Sequence, residues 1–284
     1  MRRPRRFLAP LVATVALAVV LPGVALATQV ISLSGSTAAF PLLELLTAKY
    51  SALQHNKIKF VVAQGGSTVG INDVAAGKVN IGDASAAPTS TTPGGLDFYP
   101  IAKYFVCVVT NKSNPISNLT TAQVESIFEG KVTSWSQVSG STLNTPIDVE
   151  SRTSVAGVLT TFASTLLGGA KSTVITSAAT QWASEGLLQN KVGNDSNAIG
   201  FLSGYNALSD KSIAPVAYNG IGCTVANTVN ETYPGWAFFY EVTRGSATGT
   251  PEGHFINWIQ TSAAAKKIIE RGWIPLTLTG PVSG

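Results

Sequence analysis

Alternating strand and helix patterns constrain this chain more than any other feature. "TQVISLSG" has the pattern of a β-strand, and "AAFPLLELLTAKYSAL" follows it with apolar residues at helical spacing. "KIKFVVAQGG", "STVGINDVAAGK" and "VNIGDAS" then repeat the order strand, helix, strand. Because parallel strands need a crossover connection, this β-α-β-α-β order predicts a mostly parallel sheet with helices on both faces.

The tripeptide Gly-Ser-Thr occurs twice, each time where a strand pattern gives way to a helix pattern. Its hydroxyl residues, Ser36, Thr37, Ser67 and Thr68, are typical helix N-caps when each copy is considered alone. The carboxyl ends of parallel strands meet at one edge of a sheet, so the two copies are also expected to lie together there. Free backbone amides and helix dipoles at that edge hold an anion. The sequence allows both interpretations.

The first 27 residues are predicted to be a secretory signal peptide. Four arginines precede an apolar run over residues 8–20, and the motif Ala-Leu-Ala at residues 25–27 is a typical cleavage site. No cysteine lies near that site, which argues against a lipoprotein anchor. We therefore expect export to the periplasm or the cell exterior, with Thr28 as the first residue of the mature chain.

Composition argues against several classes of function. Without the four arginines of the signal, the 19 basic and 15 acidic residues become 15 and 15, which does not favour nucleic acid as a partner. With two histidines, His55 and His254, and two cysteines, a His/Cys metal cluster is not expected. P-loop and G-x-S-x-G motifs are absent, and no hydrolytic triad is evident. We expect a protein that is not an enzyme and holds no cofactor.

The two cysteines, Cys107 and Cys223, have two possible states. In an oxidising compartment they can form a disulfide that closes a loop of more than a hundred residues. Cys107 also lies within "YFVCVVT", the pattern of a buried strand, which suits a buried thiol that packs as a small hydrophobe. The sequence leaves both states open.

Two stretches rich in Gly, Pro and Thr, "APTSTTPGGLD" and "NETYPG", bracket the centre of the chain. They predict two lobes: residues 28–108 and 236–284 form the first, and residues 109–235 form the second. Small-ligand sites concentrate at such lobe interfaces. We therefore expect the ligand in a cleft between the lobes.

Two charged residues are candidates for this cleft. Arg152, in "DVESRTSVAG", comes just before a helix of the second lobe. It is either a structural arginine or a forked clamp that binds an oxyanion across the cleft. Asp83, in "VNIGDASAAP", stands at a strand end and is either a turn residue or an acceptor for a ligand hydroxyl.

With these residues in this order, the mature chain resembles the phosphate-binding subunit of bacterial phosphate ABC importers. The resemblance is carried by "GSTAAFPL", "GGSTVGINDVAAGKVNIGDAS", "LTTAQVESIFEGKVTSWSQV", "NAIGFLSG" and "FINWIQTSAAAKKIIERGWIPL". It implies a two-lobed α/β fold of the type II periplasmic-binding-protein class, each lobe a mostly parallel sheet flanked by helices. It also implies capture of phosphate or a related oxyanion, and an ABC permease as partner. We expect a monomer.

The resemblance also implies a set of ligand-binding residues. The first anion-holding turn spans Ser36 to Phe40, the second lies at Ser67, and the clamp falls on Arg152. An aspartate that many members use to accept the proton of phosphate falls here on Ser85 or Ala86, with Asp83 displaced. The full expected set is Ser36, Thr37, Ala39, Phe40, Ser67, Thr68, Asp83, Ser85, Arg152, Ala156, Gly157 and Val158.

This chain departs from the family pattern beyond the arginine. The family usually has Ser-Gly-Thr there, but this chain has Ala156, Gly157 and Val158. Two hydroxyl donors are therefore missing, at about 1.5–3 kcal/mol for each hydrogen bond to a charged group, while the backbone amides remain. The alternative interpretation is a binding-protein fold with a decayed oxyanion site that serves sensing, protein interaction or another ligand.

Overall fold

The computed structural model describes residues 28–168 and 175–276, so the predicted signal peptide lies outside the described residues. No helix in these two ranges is long and apolar enough to cross a lipid bilayer. The strands are β1 (Gln29–Gly35), β2 (Ile58–Gln64), β3 (Ile81–Ala84), β4 (Leu96–Asn111), β5 (Asn118–Leu119), β6 (Asp148–Arg152), β7 (Thr180–Trp182), β8 (Ala198–Ser203), β9 (Ile213–Pro215), β10 (Ala217–Tyr218) and β11 (Trp236–Arg244). The helices are α1 (Phe40–Leu53), α2 (Ser67–Ala75), α3 (Thr121–Phe128), α4 (Gly157–Leu166), α5 (Glu185–Asn194), α6 (Gly204–Ser209), α7 (Val225–Val229), α8 (Pro251–Thr261) and α9 (Ala263–Ile269).

The main sheet has the strand order β2-β1-β3-β11-β4-β8-β6-β7, and β9 also pairs with β4. Its two outer groups are parallel: β1 pairs with β2 and β3, and β6 pairs with β7 and β8. In the centre, β11 and β4 run antiparallel to their neighbours. The predicted α/β class with mostly parallel, helix-flanked strands is confirmed, and the antiparallel centre joins the two groups.

Strand β4 belongs to both groups of strands. Residues 96–105 pair with β11, and residues 106–110 pair with β8. We call β1–β3, β11 and helices α1 and α2 the first half, and β6–β8 with helices α4 and α5 the second half. The exact limits of the predicted lobes stay a prediction, because strand pairing alone does not assign the connecting loops.

Helix α4 is held against the second half by aromatic packing. The ring of Phe162 stacks on that of Phe201 in β8, with centroids 4.1 Å apart, and Phe128 of α3 meets Phe162 edge to face. All three side chains are fully buried. Because such aromatic contacts have defined geometry, they direct the N-terminus of α4 towards the end of β6.

Cys107 and Cys223 form a disulfide, so of the two states left open the bonded one is confirmed. Their Cα atoms are 5.6 Å apart, and 116 positions separate them in the sequence. The bond ties β4 to the segment that precedes α7. Among the described residues there is no free cysteine.

Candidate functional site

The first Gly-Ser-Thr copy forms the turn between β1 and α1. The Ser36 amide donates to the Asp83 carbonyl at 3.0 Å, so the end of β3 holds the turn. A Cβ atom on Gly35 would lie 2.2 Å from that carbonyl oxygen, and only glycine fits there. The predicted N-cap role is wrong for this copy, because Ala39 is the N-cap of α1 and the Ser36 hydroxyl instead accepts from the Ala39 amide at 3.2 Å.

The second copy forms the turn between β2 and α2. Gly66 is the N-cap, with φ at +97°, a value that strains serine or threonine. The helix therefore starts at Ser67, and the predicted capping by Ser67 or Thr68 is also wrong. The Ser67 hydroxyl accepts from the Ser85 amide at 3.0 Å and contacts the Ser85 hydroxyl at 3.1 Å. Since the Ser67 side chain does not cap the helix, the hydroxyl groups of Ser67 and Ser85 lie together at the end of the sheet.

Arg152, the last residue of β6, approaches this edge from the second half. Its Nε donates to the Trp182 carbonyl at 3.0 Å, and its Nη2 donates to the Ala183 carbonyl at 3.0 Å. Nη2 also donates to the Thr37 hydroxyl of the first half at 2.8 Å. Nη1 has no hydrogen-bond partner, although it lies 3.8 Å from Oε1 of Glu185. The guanidinium therefore reaches across the cleft through Nη2, while Nη1 faces the Glu185 carboxylate without a hydrogen bond.

Glu185 forms a buried ion pair with Arg152. Its carboxylate is fully buried and accepts hydrogen bonds from the Ser203 amide at 3.1 Å, the Ser203 hydroxyl at 2.7 Å and the Asn206 side-chain amide. Burial lowers the pKa of Arg152 from its usual range, and the charge of Glu185 opposes that lowering. A guanidinium remains charged throughout the physiological range even so.

The two turns and the start of α4 surround a small cavity that is too narrow in this structure to admit a water molecule. At the cavity, the amides of Thr37, Ala38, Ser67, Gly157 and Val158 make no hydrogen bond to any group of the described chain. Free amides at helix starts attract negative charge, and the buried guanidinium adds a full positive charge. The lining residues are Ser36, Thr37, Ala38, Gly66, Ser67, Ser85, Arg152, Ala156, Gly157 and Val158.

The predicted ligand set and the cavity overlap in large part. Ala38, inside the predicted turn Ser36–Phe40, and Gly66, of the second Gly-Ser-Thr copy, also line the cavity although neither is in the predicted ligand set. The predicted residues that line the cavity are Ser36, Thr37, Ser67, Ser85, Arg152, Ala156, Gly157 and Val158. The predicted residues that do not line it are Ala39, Phe40, Thr68 and Asp83.

The side chains of Ala156 and Val158 are apolar and buried, as the sequence implied. They supply no hydroxyl groups, so the second half contributes only the Gly157 and Val158 amides and the guanidinium of Arg152. Hydroxyl groups come from the first half alone. The cavity therefore joins a hydroxyl-rich side to a side built from backbone amides and one arginine.

Gly157 is enclosed more tightly than an ordinary helical residue. A Cβ atom there would lie 2.5 Å from the Ser67 hydroxyl oxygen and 2.7 Å from that of Ser85. For Gly157→Ala we expect oxyanion affinity to fall about 10- to 100-fold, because overpacking forces the two halves apart. The unfolding free energy should stay level or rise, since alanine favours a helix. Calorimetric titration and thermal unfolding measure the two effects.

Gly186→Ala is the matched control for Gly157→Ala. It also places alanine near the start of a helix, and a Cβ atom there meets nothing within 4 Å. Its oxyanion affinity should equal that of the wild type. Wild-type affinity in Gly157→Ala would contradict the position of the cavity.

Asp83 lies behind the first turn, beside Glu241. The two residues face each other across the β3–β11 pairing, and both side chains are fully buried. Burial raises the pKa of Asp83 well above its usual range, and the charge of Glu241 adds to this. Burial raises the pKa of Glu241 to about 7, and neither of its carboxylate oxygens has a hydrogen-bond partner among the described residues. At least one of the two carboxyl groups is therefore protonated near neutral pH.

The Asp83–Glu241 pair should make stability depend on pH. A carboxyl group whose pKa is higher in the folded protein stabilises it at low pH, and this is lost as pH rises through the folded pKa. We expect the unfolding free energy of the wild type to fall by about 2 kcal/mol between pH 5 and pH 8. Glu241→Gln should flatten this slope in denaturant titrations. If the unfolding free energy changed with pH equally in the wild type and in Glu241→Gln, the pair would not titrate between pH 5 and pH 8.

Solved structures identify the architecture. A putative phosphate ABC transporter substrate-binding protein with bound phosphate from Clostridium perfringens aligns with a TM-score of 0.80 at 26% identity, covering 88% of this chain and all of that one. An ABC-type phosphate transport receptor from Vibrio cholerae aligns with a TM-score of 0.70 at 28% identity, covering 87% of this chain and all of that one. The fold is therefore that of the type II periplasmic binding proteins.

The chain belongs to the PBP superfamily, whose domain profile matches residues 22–263. The phosphate-binding protein PstS of Bacillus subtilis is 26% identical over 87% of this chain and 81% of its own length. Protein SphX of Synechococcus elongatus is 27% identical over 87% of this chain and 77% of its own length. These relatives confirm the predicted resemblance to phosphate-binding subunits. Both solved relatives are named as binding components of phosphate transport.

Proposed function

We propose that this chain is an exported binding protein that captures phosphate or a related tetrahedral oxyanion in the cavity between its two halves. The observation that carries the proposal is the set of unpaired amides at the starts of α2 and α4 and after β1, together with the buried guanidinium of Arg152 that lines the same cavity. Together they place hydrogen-bond donors on several sides of one small cavity. Relatives named for phosphate binding and phosphate transport support the same ligand class.

The proposed cycle follows from the fold. The ligand enters between lobes formed by residues 28–108 with 236–284 and by residues 109–235, and the lobes close on it by a hinge motion. Strand β4 and the start of β11 provide the connections that bend. The closed monomer then docks on an ABC permease, to which it delivers the ligand. No catalytic step or cofactor is part of this function.

Calorimetric titration of the mature protein with phosphate, sulfate, molybdate and tungstate tests the proposal. We expect saturable, one-to-one binding of phosphate or of another of these anions. Absence of heat with all four would overturn it. The alternative of a decayed site is less well supported, because the amides and Arg152 still line the cavity although hydroxyl groups are missing at Ala156 and Val158.

N-terminal sequencing of the secreted or periplasmic protein tests export. A mature protein that begins at Thr28 is expected. A chain that keeps its first 27 residues in the cytoplasm would contradict this part of the proposal.

A further inference from the structure

A cluster of hydroxyl groups joins the two halves one helical turn below the cavity. Thr161 lies four residues after Gly157 in α4, and its side chain is buried. Its hydroxyl oxygen lies 3.1 Å from the Ser85 carbonyl oxygen and 2.9 Å from the Tyr104 hydroxyl oxygen. The Tyr104 hydroxyl also donates to the same carbonyl. Thr161 belongs to the second half, whereas Ser85 follows β3 of the first half.

Tyr104 is fixed in the first half independently of Thr161. Its ring stacks on Phe239 of β11, with centroids 4.1 Å apart and planes within 10°. Burial raises the pKa of the Tyr104 hydroxyl, so it keeps its proton and acts as a donor. The Ser85 carbonyl therefore has a partner from its own half whether or not α4 is near. The contacts of Thr161 form only when the two halves approach each other.

Thr161 differs from the other groups that join the halves. Arg152 and Thr37, which bind each other across the cleft, both line the cavity and belong to the proposed ligand site. Thr161 does not line the cavity. Its contribution to closure should therefore be the same for every ligand.

We propose that Thr161 is a positioning residue, whose hydroxyl holds the two halves together and slows ligand release without touching the ligand. The inference rests on the proposed function only in assuming that an anion occupies the cavity. A bond present only in the closed form raises the closed population and hence the affinity for any ligand of that form. Because the bond does not contact the ligand, its removal changes all affinities by one factor.

Thr161→Val tests this role, since valine keeps the shape and removes the hydroxyl. The loss of one buried neutral hydrogen bond should increase the release rate and the dissociation constant about three- to tenfold. Phosphate and sulfate should change by the same factor, measured by calorimetry and stopped-flow release. Thr161→Ser should restore wild-type values. Tyr104→Phe should cause a similar loss, and the double variant should lose little more than either single variant.

Thr165→Val is the matched control, one turn further along α4. The Thr165 hydroxyl donates to the Thr161 carbonyl at 2.7 Å within the same helix and makes no hydrogen bond to the first half in the described chain. This variant should keep the wild-type release rate. A release rate raised equally in Thr161→Val and Thr165→Val, or a changed ratio of phosphate to sulfate affinity in Thr161→Val, would overturn the inference.

Hydrogen exchange separates the inference from the proposed function. The Ser85 amide donates to the Ser67 hydroxyl, and the Thr68 amide donates to the Val155 carbonyl; both hydrogen bonds are shielded from water when the halves meet. In protein without added anion, Thr161→Val should therefore accelerate hydrogen exchange of the Ser85 and Thr68 amides. Exchange equal to that of the wild type overturns the positioning role. A wild type that binds none of the four oxyanions overturns the proposed function, while the exchange comparison still decides whether Thr161 holds the halves together.

Discussion

Replacing Arg152 with methionine is expected to abolish oxyanion binding. Among the described residues, Arg152 is the only charged one that lines the cavity. A hydrogen bond to a charged group contributes about 1.5–3 kcal/mol, so the loss of the guanidinium should weaken binding by at least about 10- to 100-fold. Calorimetric titration of Arg152→Met against phosphate and sulfate measures the loss. Arg152→Lys should recover only part of it, because an ammonium group lacks the fork.

The fold needs its own control in this experiment, since Arg152 is buried. Its removal leaves the carboxylate of Glu185 without a cation, which should lower the unfolding free energy by about 3 kcal/mol. The double variant Arg152→Met/Glu185→Gln removes this unpaired charge. It should recover much of the stability and none of the binding. Wild-type affinity in the folded double variant would contradict the role given to the arginine.

Removal of the disulfide is expected to have the largest effect on stability. Cys107 and Cys223 close a loop of more than a hundred residues, and a crosslink of that span stabilises a protein by about 4–5 kcal/mol by restricting the unfolded chain. Cys107→Ala/Cys223→Ala should therefore melt about 10 °C or more below the wild type. Alanine is chosen because a serine hydroxyl at the buried position 107 would lack a partner.

Single cysteine variants and binding measurements control for the packing of the cysteine side chains. Each single variant already lacks the crosslink, so it should lose nearly as much stability as the double variant. Neither cysteine lines the cavity, and the oxyanion affinity of all three variants should stay close to that of the wild type. Single variants that lose only half as much stability as the double variant would show that packing, and not the crosslink, carries the effect.

Local periodicity predicted the outer parts of the fold well. The strand and helix patterns at the start of the chain became β1, α1, β2, α2 and β3, with parallel pairing. The antiparallel centre was not predictable in the same way. Whether β11 pairs with β3 and β4 depends on contacts between residues more than a hundred positions apart, and the pattern of a single strand does not record its direction.

The sequence predicted the two turns and the backbone amides of the site, but it did not predict how the two helices begin. The repeated Gly-Ser-Thr correctly indicated that two turns meet at one edge of the sheet. It did not indicate that Ala39 and Gly66, and not the hydroxyl residues, are the helix N-caps. At the second copy the positive φ of Gly66 makes this glycine the N-cap. The second half also approaches closely there, since the Val155 carbonyl oxygen would lie 2.8 Å from a Cβ atom on residue 66.

Asp83 and Ser85 show most directly what the sequence by itself determined. Their identities and their place at a strand end established that polar groups end β3, because strand and turn preferences act over a few residues. Only the tertiary structure decided that Asp83 pairs with Glu241 inside the first half and that the Ser85 side chain lines the cavity. The side of the sheet to which each residue points is settled by which strands and helices pack there. Such packing depends on burial and hydrogen bonding between distant segments, which no local pattern contains.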